Sequence, residues 1–144
     1  MDNIDLRIID ILQTDGRITM KELGQRVGLT SPATIERVKK LEESGIIGGY
    51  RADIDIVKAG LPVKAFILVT IGGCAGDALI NFCRNQARLL ECHRLAGSAS
   101  YLISVAVTDT AELEKLLDEL AAFGRVETHL VLSTPFTAEK INLP

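Results

Sequence analysis

The chain has 144 residues, of which 47% are hydrophobic and 24% are charged, and its formal net charge is -3. This balance is typical of a folded globular protein and excludes an intrinsically disordered one. No apolar stretch approaches the ~20 residues that a membrane-spanning helix requires, and the N-terminus lacks the segments of a signal peptide. We therefore expect a cytoplasmic protein of one or two small domains.

Three cysteines, Cys74, Cys83 and Cys92, are spread through the second half of the chain. They lack the close spacing of a zinc or redox motif, and only His93 lies next to one of them. We therefore expect the cysteines to be small, reduced, buried hydrophobic residues. No metal site and no cofactor are expected.

Three helices are predicted in the first part of the chain. The first is expected over residues 3–13, with Asp2 as its N-terminal cap. The second begins at Thr19, which has the spacing of a capping box with Glu22, and it ends at Gly28.

The third helix follows after a turn of only two residues. Ser31 is the predicted N-cap, Pro32 takes the first helical position, and Gly45 is expected to end the helix. Two helices joined by so short a turn, after a first helix, form a tri-helical helix-turn-helix.

The outward side of the third helix carries the predicted chemistry. Ile35, Val38 and Leu41 are expected on its buried side. In a helix-turn-helix protein, the N-terminal part of this helix contacts base edges in the major groove. Arg37 has the donors for guanine O6 and N7, Glu36 accepts from a cytosine amine or pairs with a cation, and the lysines suit phosphates. The predicted DNA contacts are Arg17, Ser31, Ala33, Thr34, Glu36, Arg37, Lys39, Lys40 and Arg51.

The charge of this part of the chain is at first sight wrong for DNA. Residues 1–62 hold nine Lys or Arg and ten Asp or Glu, a net charge of -1. Local sign matters more than this total, because screening limits each charge to about 8–10 Å at physiological salt. A single copy is nevertheless expected to bind weakly, whereas linked copies gain ~10²–10⁴ in avidity.

The composition of the chain changes near Gly60-Leu61-Pro62, where a helical period gives way to alternating strand-like and helix-like stretches. Residues 50–56 alternate apolar and polar side chains, which predicts a strand or extended arm over residues 50–62. The remaining residues repeat a strand–helix–strand unit twice, the βαββαβ order of a ferredoxin-like domain. The predicted strands are 64–71, 89–96, 101–107 and 126–133; the predicted helices are 77–86 and one opened by Asp109 and closed by Gly124.

The predicted fold is therefore α+β. It consists of an N-terminal tri-helical (winged) helix-turn-helix at 1–49, an arm at 50–62, and a ferredoxin-like domain for effector binding and oligomerisation at 63–144. The first and third strands of that domain are apolar on both faces, although its two helices can cover only one face. We expect the second face to pack on another copy, which makes the protein a homodimer.

The chain resembles the leucine-responsive/asparagine-regulator (Lrp/AsnC) family of prokaryotic transcription regulators. The residues that carry the resemblance are IDLRIIDILQTDGRITMKELGQRVGLTSPATIERVKKLEESGIIGGYRADID, the following AGLP, and the βαββαβ pattern with its glycine turn. The resemblance implies a DNA-binding domain joined to an amino-acid-sensing, oligomerising domain. It also implies dimers that assemble into octamers and bend or wrap double-stranded DNA.

The resemblance further implies an effector site between dimers, near the turn before the third strand. The family favours Gly-x-x-Asp-Tyr there, and this chain has Gly97, Ser98, Ala99, Ser100 and Tyr101. A carboxylate can neutralise the ammonium group of an amino acid, whereas the serine can only form a hydrogen bond with it. The segment is therefore either an effector site or simply a tight hairpin turn.

Three other functions remain open at this stage. One is an architectural protein of the same fold that wraps DNA without an effector, and another is an amino-acid sensor without a DNA role. The third is an enzyme, since some relatives of the family decarboxylate a tetrapyrrole with the help of histidine. Against an enzyme, His93 and His129 lie on strands that the usual order 4-1-3-2 places at opposite edges of the sheet. We expect no catalytic residues.

Overall fold

A computed structural model describes residues 1–144 and divides them into two compact units. The helical unit comprises Met1–Asp53 and Pro135–Pro144, and the sheet unit comprises Ile54–Thr134. The elements are α1 (Asn3–Thr14), α2 (Met20–Val27), α3 (Ser31–Glu43), β1 (Val63–Ile71), α4 (Gly76–Arg84), β2 (Leu89–Arg94), β3 (Tyr101–Val107), α5 (Thr110–Ala121) and β4 (Gly124–Leu130).

Local capping starts the first two helices where the sequence predicts. The Asp2 carboxylate accepts hydrogen bonds of 2.9 Å from the backbone N–H groups of Ile4 and Asp5, and the Asp5 carboxylate accepts one from the Asp2 backbone. Thr19 caps α2 by accepting from the Glu22 backbone N–H at 3.2 Å. These bonds satisfy N–H groups that a helix cannot pair internally.

The buried side of α3 differs from the prediction. Thr34, Val38 and Leu41 are buried, at the spacing i, i+4 and i+7, whereas Ile35 is 51% exposed. The prediction that Ile35 is buried was therefore wrong, because its neighbour Thr34 occupies the buried position. The core of the helical unit is formed by Ile8, Ile9, Leu12, Ile18, Leu23, Val27, Val38 and Leu41.

The ends of α3 also show one correction. Its N-cap is Thr30, which makes no side-chain capping bond, and Ser31 is already helical. Gly45 follows the end of α3 with a φ of 74°, a left-handed value that glycine adopts readily. Beyond it, residues 48–55 form neither helix nor strand and residues 56–60 form a turn, so the predicted segment is an arm rather than a strand.

The C-terminal segment belongs to the helical unit. The Lys140 ammonium lies 2.6 Å from the Asp10 carboxylate. The Gln13 side chain forms two hydrogen bonds with the Ile141 backbone. It donates to the carbonyl at 3.1 Å and accepts from the N–H at 2.7 Å. These residues fall within the predicted ferredoxin-like domain at 63–144, because nothing local in them indicates a long-range contact with α1.

The sheet unit has the expected ferredoxin-like order. Its four antiparallel strands lie in the order β2-β3-β1-β4, and α4 and α5 pack on one face around a shared core. Gly124, expected to close α5, instead begins β4, where a side chain would collide with the Thr70 backbone. The core consists of Ala65, Ile67, Val69, Leu79, Cys83, Tyr101, Ile103, Val105, Val107, Leu113, Leu116 and Leu120.

The face of the sheet without helices is called here the open face. Phe66, Leu68 and Leu102 lie in its centre, and Phe66 is 42% exposed. The edge strands contribute charged pairs to the same face: His93 lies 3.1 Å from Glu91 on β2, and His129 lies 3.3 Å from Glu127 on β4. The open face therefore has an apolar centre and two polar edges.

Candidate nucleic-acid interface

The angle between α2 and α3 depends on one close contact. A Cβ atom on Gly24 would lie 2.8 Å from both the Leu29 carbonyl oxygen and Thr34 Oγ1. Only a residue without a side chain allows the two helices to approach so closely. The Thr34 hydroxyl in turn donates to the Thr30 carbonyl at 2.9 Å, and Gly28 ends α2 in the left-handed conformation with a φ of 76°. The turn is thus held from both of its ends.

The predicted contact residues differ in accessibility. Thr34 is fully buried, so its side chain packs inside the helical unit and is not available to DNA in this structure. Ser31, Ala33 and Arg37 are half-buried. The exposed members of the predicted set are Arg17, Glu36, Lys39, Lys40 and Arg51.

Arg37 is not a free cation. Its Nη1 donates to Asp2 Oδ2 at 2.8 Å and to Asp5 Oδ1 at 2.7 Å, which ties α3 to the start of α1. The Asp5 backbone N–H, followed by the Arg37 guanidinium, lowers the pKa of Asp2, and hydrogen bonds to Asp2 and then Asp5 raise the pKa of Arg37. Both contacts use Nη1, so Nη2 and Nε remain for another acceptor.

The lysines of α3 also have acidic neighbours. Lys40 lies 2.8 Å from Glu36, and Lys39 lies 3.5 Å from Glu43, each at i,i+4 spacing. The Lys40 ammonium lowers the pKa of Glu36. Exposed pairs of this kind contribute little net stability, because water and salt screen them. An approaching phosphate can therefore replace a carboxylate as the partner of either lysine.

Two further cations lie around one surface depression of the helical unit. Arg17 and Arg51 both line this depression, whose volume is about 580 Å³. Tyr50, which also lines it, donates its hydroxyl to Glu42 of α3 at 3.0 Å. The structure thus brings Arg17 and Arg51 together, although 34 positions separate them in the chain.

Ile35 is a residue that the sequence analysis missed. Its exposed side chain projects from the N-terminal half of α3, where an apolar group can contact the methyl group of thymine. The signal for its exposure was present in the sequence. The glycine at position 24, inside α2, indicates close packing against a small α3 residue, which Thr34 is and Ile35 is not.

The predicted effector segment is engaged within its own unit. Ser100 Oγ accepts a hydrogen bond from the Ile71 backbone N–H at 3.2 Å, and the Ser98 carbonyl accepts one from the Thr70 hydroxyl at 3.4 Å. Tyr101 is 4% exposed and belongs to the core. The segment is therefore the turn between β2 and β3, and these two bonds tie it to the end of β1.

The histidines and cysteines do not gather into a catalytic or metal-binding group. His93 and His129 lie on β2 and β4, the two edge strands, as expected. Cys83 is buried, but Cys74 and Cys92 are exposed, so the expectation of burial was wrong for these two. No group of three or more His, Cys, Asp or Glu residues is placed to hold a metal ion. No helix has both the length and the apolar composition needed to cross a bilayer.

Both units match known protein families. Residues 1–47 match the family described as winged helix-turn-helix DNA-binding, and residues 64–141 match the family described as Lrp/AsnC ligand binding domain. The chain belongs to the Lrp/AsnC family of transcription regulators.

Two relatives from Bacillus subtilis extend over nearly the whole chain. The uncharacterized HTH-type transcriptional regulator YezC is 42% identical over 134 residues, which are 93% of this chain and 95% of the relative. The HTH-type transcriptional regulator LrpC is 31% identical over 133 residues, or 92% of each chain. These Lrp/AsnC relatives are regulators by name, and they confirm the predicted family and function.

Solved structures confirm the fold. The structure of B. subtilis LrpC has a TM-score of 0.91 at 30% identity, covering 96% of this chain and 99% of that one. A transcriptional regulator from Neisseria meningitidis in complex with L-Met has a TM-score of 0.90 at 30% identity, covering 100% and 96%. This Lrp/AsnC regulator therefore combines a DNA-binding helix-turn-helix with a ferredoxin-like ligand-binding domain.

Proposed function

We propose that this Lrp/AsnC regulator binds double-stranded DNA in the cytoplasm by placing α3 in the major groove. The observation that carries the proposal is the Gly24–Thr34 contact, because it turns Ile35, Glu36 and Lys39 away from the core. A recognition helix must present such a surface to the groove. The proposed contacts are Arg17, Ser31, Ala33, Ile35, Glu36, Arg37, Lys39, Lys40 and Arg51.

The proposed contacts have different roles. Arg37 donates through Nη2 and Nε to guanine O6 and N7, while Asp2 and Asp5 hold its Nη1. Lys39 and Lys40 exchange their carboxylate partners for phosphates, which fix the position of the helix without selecting a sequence. Arg17 and Arg51 add phosphate contacts from the depression that both line.

An Arg37→Ala substitution tests the assignment. Fluorescence anisotropy with DNA from upstream of the protein's own gene should show roughly ten-fold or greater weakening, concentrated at one base position. The control is Lys115→Ala, because Lys115 is an exposed cation on α5 in the sheet unit. If Arg37→Ala and Lys115→Ala bind equally well, Arg37 does not read a base.

We also propose that the protein acts as a homodimer that assembles into larger rings, with the open face as the dimer contact. Phe66, Leu68 and Leu102 provide an apolar centre that no helix covers. The charges of α3 are largely compensated by acids, so one copy should hold DNA weakly. Two or more linked copies raise the avidity through additional half-sites.

Two candidate functions differ in whether an effector changes the affinity for DNA. A regulator that responds to an amino acid is supported by the Neisseria meningitidis neighbour, which was solved with L-Met. An architectural protein that wraps DNA without an effector is favoured by Ser100, because it replaces the expected carboxylate and bonds to the Ile71 backbone instead. A DNA titration repeated with each amino acid separates the two, since only the first predicts a shift in affinity.

A further inference from the structure

Two of the three cysteines meet in one pocket of the sheet unit. Cys83 lies in the last turn of α4 and is 8% exposed. Cys92 lies on the edge strand β2 opposite Ile103, a core residue, so its side chain points to the face that the helices cover. Both line one pocket of about 440 Å³, so the two side chains face the same space between α4 and β2. Nothing in DNA binding or effector binding uses this pair.

We propose that Cys83 and Cys92 form a redox-active dithiol that hydroperoxides convert to a disulfide within the chain. The geometry provides the two features that such a site requires. One sulfur must be reachable by the oxidant, and Cys92 is exposed. The second must lie near the first, so that it reacts there before a thiol from another molecule does, and Cys83 lines the same pocket as Cys92.

The chemistry balances with hydrogen peroxide as the oxidant. The Cys92 thiolate attacks one peroxide oxygen, the O–O bond breaks, and a sulfenic acid forms while hydroxide leaves. The Cys83 thiol then gives up its proton as its sulfur attacks the Cys92 sulfur, the S–O bond breaks, and a second hydroxide leaves. The two thiol protons convert the two hydroxides to water. Each sulfur loses one electron, and the two peroxide oxygens gain both.

The surroundings assign these different roles to the two cysteines. Burial, followed by the proximity of Cys92, raises the pKa of Cys83 to about 12, so Cys83 is a protonated thiol at neutral pH. The exposed Cys92 is therefore the site of first attack. Arg84, Arg94 and Glu91 line the same pocket.

The disulfide would join α4 to the edge strand of the sheet. The turn formed by residues 97–100 begins three residues after β2 ends, so the bond restrains the strand that leads into the predicted effector segment. A disulfide of this kind in a reducing compartment is typically a transient, regulatory one.

Cys74 provides the internal control for the experiment. It is exposed but does not line the pocket. The full-length Cys74→Ser variant is treated with hydrogen peroxide, its remaining thiols are alkylated, and its intact mass and tryptic peptides are measured. We expect the loss of two hydrogens, a peptide pair cross-linked through Cys83 and Cys92, and complete reversal by dithiothreitol.

Single-cysteine variants check the order of the steps. In the Cys74→Ser background, Cys92→Ser should leave Cys83 reduced, and Cys83→Ala should leave a Cys92 sulfenic acid that dimedone traps. The proposal is overturned if Cys74→Ser keeps two free thiols, if its disulfide joins two chains, or if Cys92 gains oxygen while Cys83 stays reduced. The readout is covalent, so it does not depend on DNA binding.

Discussion

The two units of the molecule differ in whether their exposed groups have partners within the same unit. In the helical unit, the three cations of α3 each have a carboxylate neighbour within the same unit. In the sheet unit, Phe66 and its apolar neighbours on the open face have no covering element. The first surface is electrostatically self-compensated, whereas the second lacks a partner.

This difference indicates how the two surfaces should respond to change. Apolar surface gains free energy when any complementary apolar surface covers it, so the open face should govern assembly strongly. Exposed ion pairs can be exchanged for phosphate contacts at little net cost, so the α3 surface should govern DNA affinity in small, salt-dependent steps. Changes to the open face should therefore have larger effects than changes to the α3 surface.

Substituting Phe66 by Lys should abolish the proposed dimer. Each copy would lose up to about 1.5–3 kcal/mol of apolar burial, and each would place an ammonium group in the centre of the contact. Sedimentation equilibrium should show a monomer. The control is Phe136→Lys, because Phe136 is 81% exposed in the C-terminal segment. A Phe66→Lys protein that remains dimeric would move the interface away from the open face.

Substituting Gly24 by Ala should destabilise the helical unit by about 1–3 kcal/mol through overpacking. Alanine normally stabilises a helix interior relative to glycine, so the sign is reversed here by the Leu29 carbonyl, which cannot rotate away. Urea unfolding measures the effect. Gly48→Ala is the matched control, since nothing lies within 4 Å of its added Cβ and its φ is not left-handed. Equal stability of the two variants would contradict the close contact.

Substituting Glu36 by Gln should tighten DNA binding modestly. The change removes an exposed negative charge and releases Lys40, so about one more phosphate is neutralised per copy and the slope of log K against log salt steepens by about 0.9. Anisotropy titrations over a range of salt concentrations measure both quantities. Glu114→Gln, on the exposed side of α5, should change neither. An unchanged slope for Glu36→Gln would show that Lys40 does not reach the backbone.

The smallest expected effect concerns pH. Because hydrogen bonds lower the pKa of Asp2 in the folded chain, its contribution to stability is present above the unfolded pKa and is lost as pH falls through the lowered value. The stability difference between the wild type and Asp2→Asn should therefore shrink in acid. Thermal unfolding from neutral to acidic pH measures it, with Asp53→Asn as the control. A difference that grows in acid would contradict the assigned direction.

The features predicted from sequence are those that depend on neighbouring residues. Asp2 and Thr19 cap their helices through bonds to residues no more than three positions away. Short apolar stretches likewise identified the strands, and the βαββαβ order then determined the sheet. Such local features can be read from a single sequence because short-range geometry alone determines them.

The errors arise where distant parts of the chain decide the outcome. The rotation of α3 is determined by Gly24 on another helix, which is why Thr34 and Ile35 were exchanged. The neighbours of Arg37 lie more than thirty positions away on α1. The pocket that Cys83 and Cys92 share depends on how α4 packs on β2, which no spacing rule for cysteines contains. These contacts follow from packing and not from periodicity.

The return of the chain from β4 to α1 has a topological consequence. The whole of Ile54–Thr134 is an insertion within the helical unit, whose final piece is Pro135–Pro144. A protease that cuts within the exposed residues 132–139 would leave the last part of the chain held without a covalent link, through its bonds to Gln13 and Asp10 and the packing of Ile141 and Leu143. A tag fused at Pro144 would likewise be attached to the DNA-binding portion of the molecule and not to the sheet unit.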